Sequence, residues 1–128
     1  MHELSIAMSI VDVVQEEAKT LGGVQVDVVH LKLGQLSGVV KEALLFSWEL
    51  ACQDTALQGV RLAIEEVPAV VNCPTCRGER PVHSPQSFCC AECGTPAFEV
   101  VAGREILVTA LEVRDEKGQD ISKEVAQG

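Results

Sequence analysis

The stretch 73-CPTCRGERPVHSPQSFCCAEC-93 decides how this chain is organised. It contains two C-x-x-C pairs, Cys73 with Cys76 and Cys90 with Cys93, separated by thirteen residues. Each pair can supply two sulfur ligands from one tight turn, and two pairs complete a tetrahedral metal site. Because protein would fill all four positions, such a site is structural, and it would hold together a segment too small and too polar to build its own core.

Zinc is the metal that we expect on these four cysteines. Thiolates are soft ligands that select iron as well as zinc, so a rubredoxin-like iron electron carrier is an alternative that the spacing leaves open. Redox exchange between the thiol pairs is a further alternative, but paired C-x-x-C turns are unusual for that chemistry. Cys89 adjoins Cys90 without the two-residue spacing to Cys93, and we interpret it as a spare thiol. His83, between the pairs, could bind a metal transiently, but we interpret it as a solvated loop residue.

The composition is typical of one globular domain with a small satellite. The chain has 128 residues, of which 47% are hydrophobic, and this is enough for a real core. No stretch approaches the roughly 18 apolar residues of a membrane span, and the start lacks the basic leader of a secretory signal. We therefore predict a soluble cytoplasmic protein without a membrane partner. In that compartment six cysteines indicate metal binding rather than disulfides.

The net charge excludes one large class of partners. Ten basic and nineteen acidic side chains give −9, and four thiolates on one divalent ion would bring this to −11. Only Arg77, Arg80 and Arg104 lie in or near the cysteine segment. Nucleic-acid binding requires a concentrated basic patch, so we predict no nucleic-acid partner and favour basic or cationic ones.

Hydrophobic periodicity predicts the elements on either side of the cysteine segment. Residues 4–21 and 40–54 repeat their apolar positions at helical spacing, and two glycines after the first of these segments supply a helix stop. Residues 24–33 alternate as a strand that changes face near Val28, and residues 60–65 alternate as a second strand. Residues 105–114 are apolar on both faces, which is typical of a central strand.

This order predicts an α+β fold in which a metal module is inserted between the last two strands. We place the main domain at residues 1–68 and 104–115 and the zinc-binding domain at residues 69–103. The polar segment 116–128 is predicted to be a flexible tail.

The first three residues, Met1-His2-Glu3, offer a second set of metal ligands. A free amine, a deprotonated amide and an imidazole at position two can chelate one ion in adjoining rings, a geometry that suits Ni(II) or Cu(II). Met1 should persist, because the aminopeptidases that remove it generally need a small second residue. Taken alone the motif is weak evidence, since many proteins carry a histidine there and Glu3 could simply favour a helix N-terminus.

Several short motifs occur together in one order: MHEL at the start, LKLGQLSGV after the first helix, EALLFSWEL in the second, and then CPTC and CAEC. In combination they resemble the HypA family of nickel metallochaperones (HypA/HybF), over nearly the whole chain to about Arg114. The resemblance implies a small β-sheet with two flanking helices and a protruding, zinc-ribbon-like domain. It also implies a nickel site and a zinc site, formed respectively by Met1, His2 and Glu3 and by Cys73, Cys76, Cys90 and Cys93.

The function implied by the resemblance is the maturation of [NiFe]-hydrogenase, with Ni(II) as transient cargo and Zn(II) as structural metal. Nickel would be received in cooperation with a HypB-like GTPase and passed to the hydrogenase large-subunit precursor. Some members also serve urease, so urease maturation proteins are candidate partners, and a second copy in a homodimer is another. Members often carry an acidic residue after the SGV-like turn. Here Val40 stands there, which puts an accessory contact from that position in doubt.

Catalytic motifs are missing from the sequence. It has no glycine-rich phosphate loop, no nucleophile elbow and no cluster of histidine with carboxylate at metalloenzyme spacing, so we predict a carrier and not an enzyme. The alternative in a different class is a zinc-ribbon module for protein–protein interaction, without a nickel role and with His2 incidental.

Overall fold

The structure, a computed structural model, describes residues 3–84 and 86–125. Predictions that fall on Met1, His2 and residues 126–128 therefore lie outside the described residues. Internal contacts divide the chain into two compact units. Unit 1 contains Met1–Leu31, Val39–Glu65 and Leu107–Gly128, and unit 2 contains Lys32–Gly38 and Glu66–Ile106.

The α+β class is confirmed. In chain order the described elements are α1 (Glu3–Thr20), β1 (Gln25–Gly34), α2 (Lys41–Cys52), β2 (Arg61–Val67), β3 (Val70–Cys73), β4 (Gly78–Ser84), β5 (Ser87–Cys90), β6 (Val100–Ala102), β7 (Ile106–Arg114) and β8 (Lys123–Glu124). The strands form two four-stranded sheets, with the orders β2-β1-β7-β8 and β5-β4-β3-β6. No helix of the described residues is long and apolar enough to cross a membrane.

The two helices of unit 1 form where the apolar periodicity predicts them. The buried positions of α1 are Ala7, Ile10, Val11 and Val14, and Gly22 and Gly23, with φ of 76° and 75°, follow its end. In α2 the side chains of Leu44, Trp48 and Cys52 are buried. The Trp48 Nε1–H donates a hydrogen bond to the Val60 carbonyl (2.8 Å), which ties α2 to the residue preceding β2.

The first strand changes face where the sequence predicts it. Val26 and Val28 are buried, and from Val29 onward the buried positions shift by one to Leu31 and Leu33. The predicted central position of β7 is also confirmed, because β7 lies between β1 and β8 in its sheet.

The sheet of unit 2 is built from the cysteine segment. Strand β3 pairs antiparallel with β4, from Val70 opposite Pro81 to Cys73 opposite Gly78. Strand β4 in turn pairs antiparallel with β5. Because β3 ends at Cys73 and β5 ends at Cys90, each C-x-x-C pair begins at the last residue of a strand.

The loop after β1 differs from the predicted domain limits. We assigned residues 1–68 to the main domain, whereas Lys32–Gly38 group with the cysteine segment. The reason is a set of loop hydrogen bonds: the Gln35 and Leu36 N–H groups donate to the carbonyls of Val67 (2.9 Å) and Gly103 (2.6 Å). Gly34 is required here, since a Cβ on it would lie 2.1 Å from the Gly103 carbonyl oxygen.

The part of the predicted flexible tail that the structure describes pairs with β7. The chain turns back after Arg114, and the N–H groups of Ile121 and Val125 donate to the carbonyls of Val113 (2.9 Å) and Thr109 (2.8 Å). Strand β8 thereby becomes the fourth strand of its sheet. The turn that starts this segment depends on Asp115, whose carboxylate accepts two backbone N–H hydrogen bonds. Aspartate is a common turn residue for this reason, but our prediction rested only on the polar composition of the segment.

Candidate metal centre and amino-terminal site

The four predicted zinc ligands lie together in unit 2. Their sulfur atoms are all within 4.8 Å of one another. The Sγ atoms of Cys73 and Cys93 are 3.5 Å apart, and those of Cys76 and Cys90 are 3.9 Å apart. Each of these short distances joins one C-x-x-C pair to the other, so the two pairs form a single cluster of four thiols. We refer to it as the cysteine cluster.

The two C-x-x-C turns share a backbone hydrogen bond and a residue with positive φ. In the first, the Arg77 N–H donates to the Cys73 carbonyl, and in the second the Gly94 N–H donates to the Cys90 carbonyl, both at 2.9 Å. Arg77 and Gly94, which each follow a second cysteine, both have positive φ, 57° and 74°. This repeated turn is what brings two sulfurs from each pair to one point.

Amide and hydroxyl groups surround the sulfurs. The Cys76 N–H donates to the Cys73 Sγ (3.4 Å), and the Cys93 Sγ lies 3.2 Å from the Thr95 hydroxyl oxygen. The Thr95 hydroxyl oxygen is also 3.0 Å from that of Thr75, so the Thr75 hydroxyl can donate to it while Thr95 donates to the sulfur. Hydrogen bonding of this kind orients sulfur ligands and stabilises their thiolate form.

The thiols of the cysteine cluster differ in acidity. Hydrogen bonds from the side chain and backbone of Thr95 lower the pKa of Cys93 to about 6. The pKa of Cys76 is raised to about 12, first by its hydrogen bond with Cys93 and then by burial. One sulfur is thus poised to ionise while its neighbour keeps a proton, as expected for thiols that share a site. Binding of a metal ion would displace these protons.

An ion pair lies beside the cluster. The Arg80 Nε, on β4, is 2.6 Å from the Glu92 carboxylate, which belongs to the second C-x-x-C turn. Attraction to Glu92 is the main cause that raises the pKa of Arg80, and Cys76 contributes to the same effect. Four thiolates on a divalent ion carry a net charge of −2. The positive guanidinium of Arg80 would partly offset this negative charge. No local sequence pattern indicates this pair, because the pairing of strands brings its two residues together.

The remaining cysteines and His83 lie elsewhere. Cys89 is half-buried, forms a backbone bridge with Pro96, and is not one of the four clustered thiols. Cys52 is buried on α2, and burial raises its pKa to about 11, which is typical of an inert structural cysteine. His83 is exposed on β4, so its predicted location in a loop is wrong.

Of the three predicted nickel ligands only Glu3 is described. It is the first residue of α1, and its carboxylate accepts a hydrogen bond from the Val40 N–H at 3.4 Å. Val40 is the N-cap residue of α2, and its side chain makes no capping hydrogen bond. The carboxylate of Glu3 therefore lies at the positive end of the α2 dipole, where a negative charge is stabilised. The backbone of Val40 thus contacts Glu3, a residue of the MHEL motif at the start of the chain.

The chemistry and spacing of the cysteine cluster fit one tetrahedral ion. With metal–sulfur distances of about 2.3 Å, a tetrahedral site places its sulfurs roughly 3.8 Å apart. The two measured separations of 3.5 and 3.9 Å lie close to this value. Four sulfur donors and no oxygen donor suit zinc or iron rather than magnesium or calcium.

The family model and the relatives found by sequence comparison agree on one family. Residues 1–113 match the family model described as "Hydrogenase/urease nickel incorporation, metallochaperone, hypA". The hydrogenase maturation factor HypA of Roseiflexus sp. (strain RS-1) is 47% identical over 116 residues, which cover 91% of this chain and 94% of that protein. The hydrogenase maturation factor HybF of Klebsiella pneumoniae is 37% identical over 112 residues, with 88% and 98% covered.

Two solved structures have a similar fold. The solution structure of the Ni metallochaperone HypA from Helicobacter pylori superposes with a TM-score of 0.59 at 19% identity, covering 87% of this chain and 96% of that one. A second solution structure, of HypA protein, gives a TM-score of 0.62 at 19% identity, with 87% and 94% covered. At this identity the likeness concerns the fold alone.

Proposed function

The chain belongs to the HypA family of nickel-incorporation metallochaperones, and we propose that it binds Ni(II) at its N-terminus and delivers the ion to the [NiFe]-hydrogenase large-subunit precursor. The observation that carries this proposal is the family match over residues 1–113, which includes the MHE start and the cysteine cluster. Nickel is cargo in this account. The protein works as a carrier, and no bond of a substrate is made or broken.

The proposed nickel donors are the amine of Met1, the imidazole and amide nitrogens of His2, and the amide nitrogen of Glu3. Four nitrogens in adjoining rings favour a square-planar ion, which supports Ni(II) over Zn(II). The hydrogen bond from the Val40 N–H to the Glu3 carboxylate holds Glu3 at the start of α1. Buried positions of α1 begin at Ala7, so the terminus can release an ion without disturbing the core.

The zinc in this proposal is held by Cys73, Cys76, Cys90 and Cys93 and is structural. The sulfur distances and the all-sulfur donor set support it. Its role follows from the small core of unit 2, where two of the few buried side chains are Cys73 and Cys90 themselves. A segment of this kind gains its stability by binding metal, because the ligand set exists only in the folded state.

The proposed partners come from the same family assignment. A HypB-like GTPase would cooperate in supplying nickel, and the hydrogenase large-subunit precursor would receive it, with urease maturation proteins as further candidates. We place this activity in the cytoplasm, because thiols that bind metal must stay reduced.

A nickel titration tests the amino-terminal site. The protein must carry no N-terminal tag, since a tag removes the amine donor. His2→Ala should weaken nickel binding by more than about tenfold, because it removes a direct ligand and loss of a group that merely supports a ligand already costs roughly 10–100-fold. His83→Ala is the matched control, since it removes an exposed imidazole that belongs to unit 2 and is not a proposed nickel donor.

The two results separate the proposal from its main alternative. A defect in His2→Ala with normal binding in His83→Ala supports the carrier. Equal affinity and stoichiometry in the wild type and His2→Ala would leave a zinc-ribbon interaction module as the better account. Visible absorption addresses the other metal: a colourless protein that contains zinc agrees with the proposal, and a red protein with charge-transfer bands indicates the rubredoxin-like alternative.

A further inference from the structure

A cavity of about 370 Å³ lies within unit 1, where the last turns of α1, the start of β1 and the segment after α2 meet. Small-molecule sites in proteins have volumes of about 300–1,000 Å³, so this cavity is large enough for a small organic ligand. No proposed donor to nickel or zinc is among the described residues that line it. The two metal sites therefore do not account for this cavity.

Small residues keep the cavity open. Gly23, with a φ of 75°, belongs to the turn from α1 into β1 and has no side chain to fill the space. Ala18 on α1 and Ala56 after α2 each contribute only a methyl group to the lining. Because Ala56 is exposed, a larger side chain at this position would enter the cavity without changing the core.

The buried part of the lining is apolar. Val26 and Leu57 are 7% and 2% exposed, and Val24 adds a half-buried aliphatic side chain. A hydrocarbon group placed against these side chains would leave water, and each methylene that is fully buried strengthens binding by roughly fourfold. This part of the cavity therefore selects a ligand with an apolar body.

The rest of the lining carries polar groups that lack a firm partner. Among the described residues, the side-chain amides of Gln15 and Gln25 have no hydrogen bond. Lys19 is the only charged residue in the described lining. Its ammonium is 4.0 Å from the Glu16 carboxylate, and the two side chains are 77% and 76% exposed. An ion pair this exposed is weak, so Lys19 can take another partner at little cost.

These polar groups favour a ligand with an anionic head. One ammonium and two amide NH₂ groups can all donate hydrogen bonds to a carboxylate, which accepts hydrogen bonds and donates none. The nearby end of α1 is already capped, because the Leu21 and Gly22 N–H groups donate to the carbonyls of Ala18 and Lys19, each at 3.2 Å. Its carbonyls therefore do not oppose a negative charge strongly.

The charge of unit 1 limits which carboxylates can bind. Fourteen acidic and six basic residues repel anions at long range, so contact with Lys19 alone would not hold one. The apolar body of the ligand must supply most of the affinity. We propose that this cavity binds a small aliphatic monocarboxylate, with its hydrocarbon chain on Val26 and Leu57 and its carboxylate at Lys19 in place of Glu16.

Titration of the full chain with hexanoate, followed through the backbone amide chemical shifts, tests the proposal. The largest shifts should fall on Gly23, Gln25 and Leu57. Hexanoate should bind more tightly than butyrate, by up to roughly sixteenfold for the two added methylenes. Hexanamide and hexylamine have the same chain with a neutral or a positive head, and they should bind about two- to fivefold more weakly than hexanoate.

Two substitutions separate the contributions of charge and space. Lys19→Gln should remove the preference for hexanoate over hexanamide and leave the affinity for hexanamide unchanged. Lys41→Gln is the matched control, because Lys41 also belongs to unit 1 but lies outside the described lining. Ala56→Phe should abolish the binding of both ligands, since its ring would occupy the cavity, and its amide spectrum reports whether the chain remains folded.

Each other outcome overturns the proposal. Unchanged amide shifts at millimolar hexanoate show that the cavity takes no such carboxylate. Equal affinities for hexanoate and butyrate show that no hydrocarbon chain is buried, and equal affinities for the three heads show that no anion is selected. Shifts that persist in folded Ala56→Phe place the binding elsewhere. An equal loss of preference in Lys41→Gln shows that general charge, and not Lys19, selects the ligand.

Discussion

Cys89 and Cys90 are neighbours in the chain that differ in every property relevant to metal binding. Cys90 is 1% exposed, its sulfur is 3.9 Å from that of Cys76, and its carbonyl accepts the Gly94 N–H. Cys89 is half-buried and not part of the cysteine cluster. The two-residue spacing to Cys93 is the sequence property that distinguishes them, because only that spacing fits the turn which brings two sulfurs together.

The pair provides a direct test of the proposed zinc site. Cys90→Ser should reduce the zinc content far below one ion per chain, because a serine hydroxyl is a poor substitute for a thiolate ligand. It should also speed hydrogen exchange throughout β3–β6, because the proposed zinc would stabilise their small core. Zinc analysis of the purified proteins measures the first effect and amide exchange the second.

Cys89→Ser is the control for this substitution. It exchanges the same atom one residue away and should leave both the zinc content and the exchange rates at their wild-type values. Full zinc content in Cys90→Ser, or an equal loss in Cys89→Ser, would contradict the assignment of the four ligands.

At the residue scale, the sequence revealed the candidate ligands but not the groups around them. The C-x-x-C spacing is local, so it could be recognised from the sequence. The Thr95 hydroxyl beside Cys93 and the pairing of Arg80 with Glu92 depend on how strands align, and no local pattern encodes that alignment. For the same reason the hydrogen bond between Glu3 and Val40, 37 residues apart, could not be predicted.

At the scale of elements, two polar pairs join β1 to β7. Arg114 donates two hydrogen bonds to the Asp27 carboxylate, at 2.7 and 2.9 Å, and His30 is 2.5 Å from Glu112. The first pair lowers the pKa of Asp27, mainly through the hydrogen bond from Arg114. A lowered pKa means that folding stabilises the charged carboxylate, so stability should depend on pH at this position.

Asp27→Asn tests this dependence. The contribution of Asp27 is fully present above its ordinary pKa of 3.8 and is lost as the pH falls through the lower value of the folded state. At pH 7 the variant should therefore unfold at lower urea concentration than the wild type, by a small amount because the pair is partly exposed. The difference should close as the pH falls below 3.8 and through the lowered pKa of Asp27 in the folded state.

Asp12→Asn is the control for the urea series, since Asp12 is exposed on α1 and makes no ion pair with any other described residue. It should match the wild type over the same pH range. A difference between wild type and Asp27→Asn that persists undiminished at low pH would show that the Asp27–Arg114 pair does not act through ionisation.

Elements with strong periodicity were predicted well, and elements fixed by distant pairing were not. The consecutive valines at positions 28 and 29 break the alternation of β1, which is why its change of face could be read from the sequence. Strand β8 has two residues, Lys123 and Glu124, with exposed side chains, so no hydrophobic pattern marks it. Its pairing with β7 follows from the turn after Arg114, and polarity alone suggested a flexible tail there.

At the scale of the whole molecule, charge is distributed unequally between the units. Unit 1 contains fourteen acidic and six basic residues, a formal charge of −8, and unit 2 contains five acidic and four basic residues, a charge of −1. Four thiolates and a divalent ion would make unit 2 more negative by two. Neither unit offers the concentrated positive charge that nucleic-acid binding requires, and unit 1 favours partners with basic surfaces.

The order of elements gave the α+β class, but the limits of the units could not be derived from it. Composition changes sharply at Pro68 and Gly103, and these positions suggested the inserted segment. Lys32–Gly38 belongs to unit 2 because of hydrogen bonds such as that from the Ala69 N–H to the Gln35 side chain (2.9 Å). Membership of a unit in this case depends on contacts between residues 34 positions apart.

The most direct test of the central claim is hydrogenase activity in cells whose only copy of this chain carries His2→Ala, grown at low nickel. We predict that activity is lost although the variant is present at wild-type level, that excess nickel restores it, and that His83→Ala behaves as wild type. The claim depends on the imidazole of His2 as a donor to the cargo ion. Wild-type hydrogenase activity in His2→Ala at low nickel would contradict it.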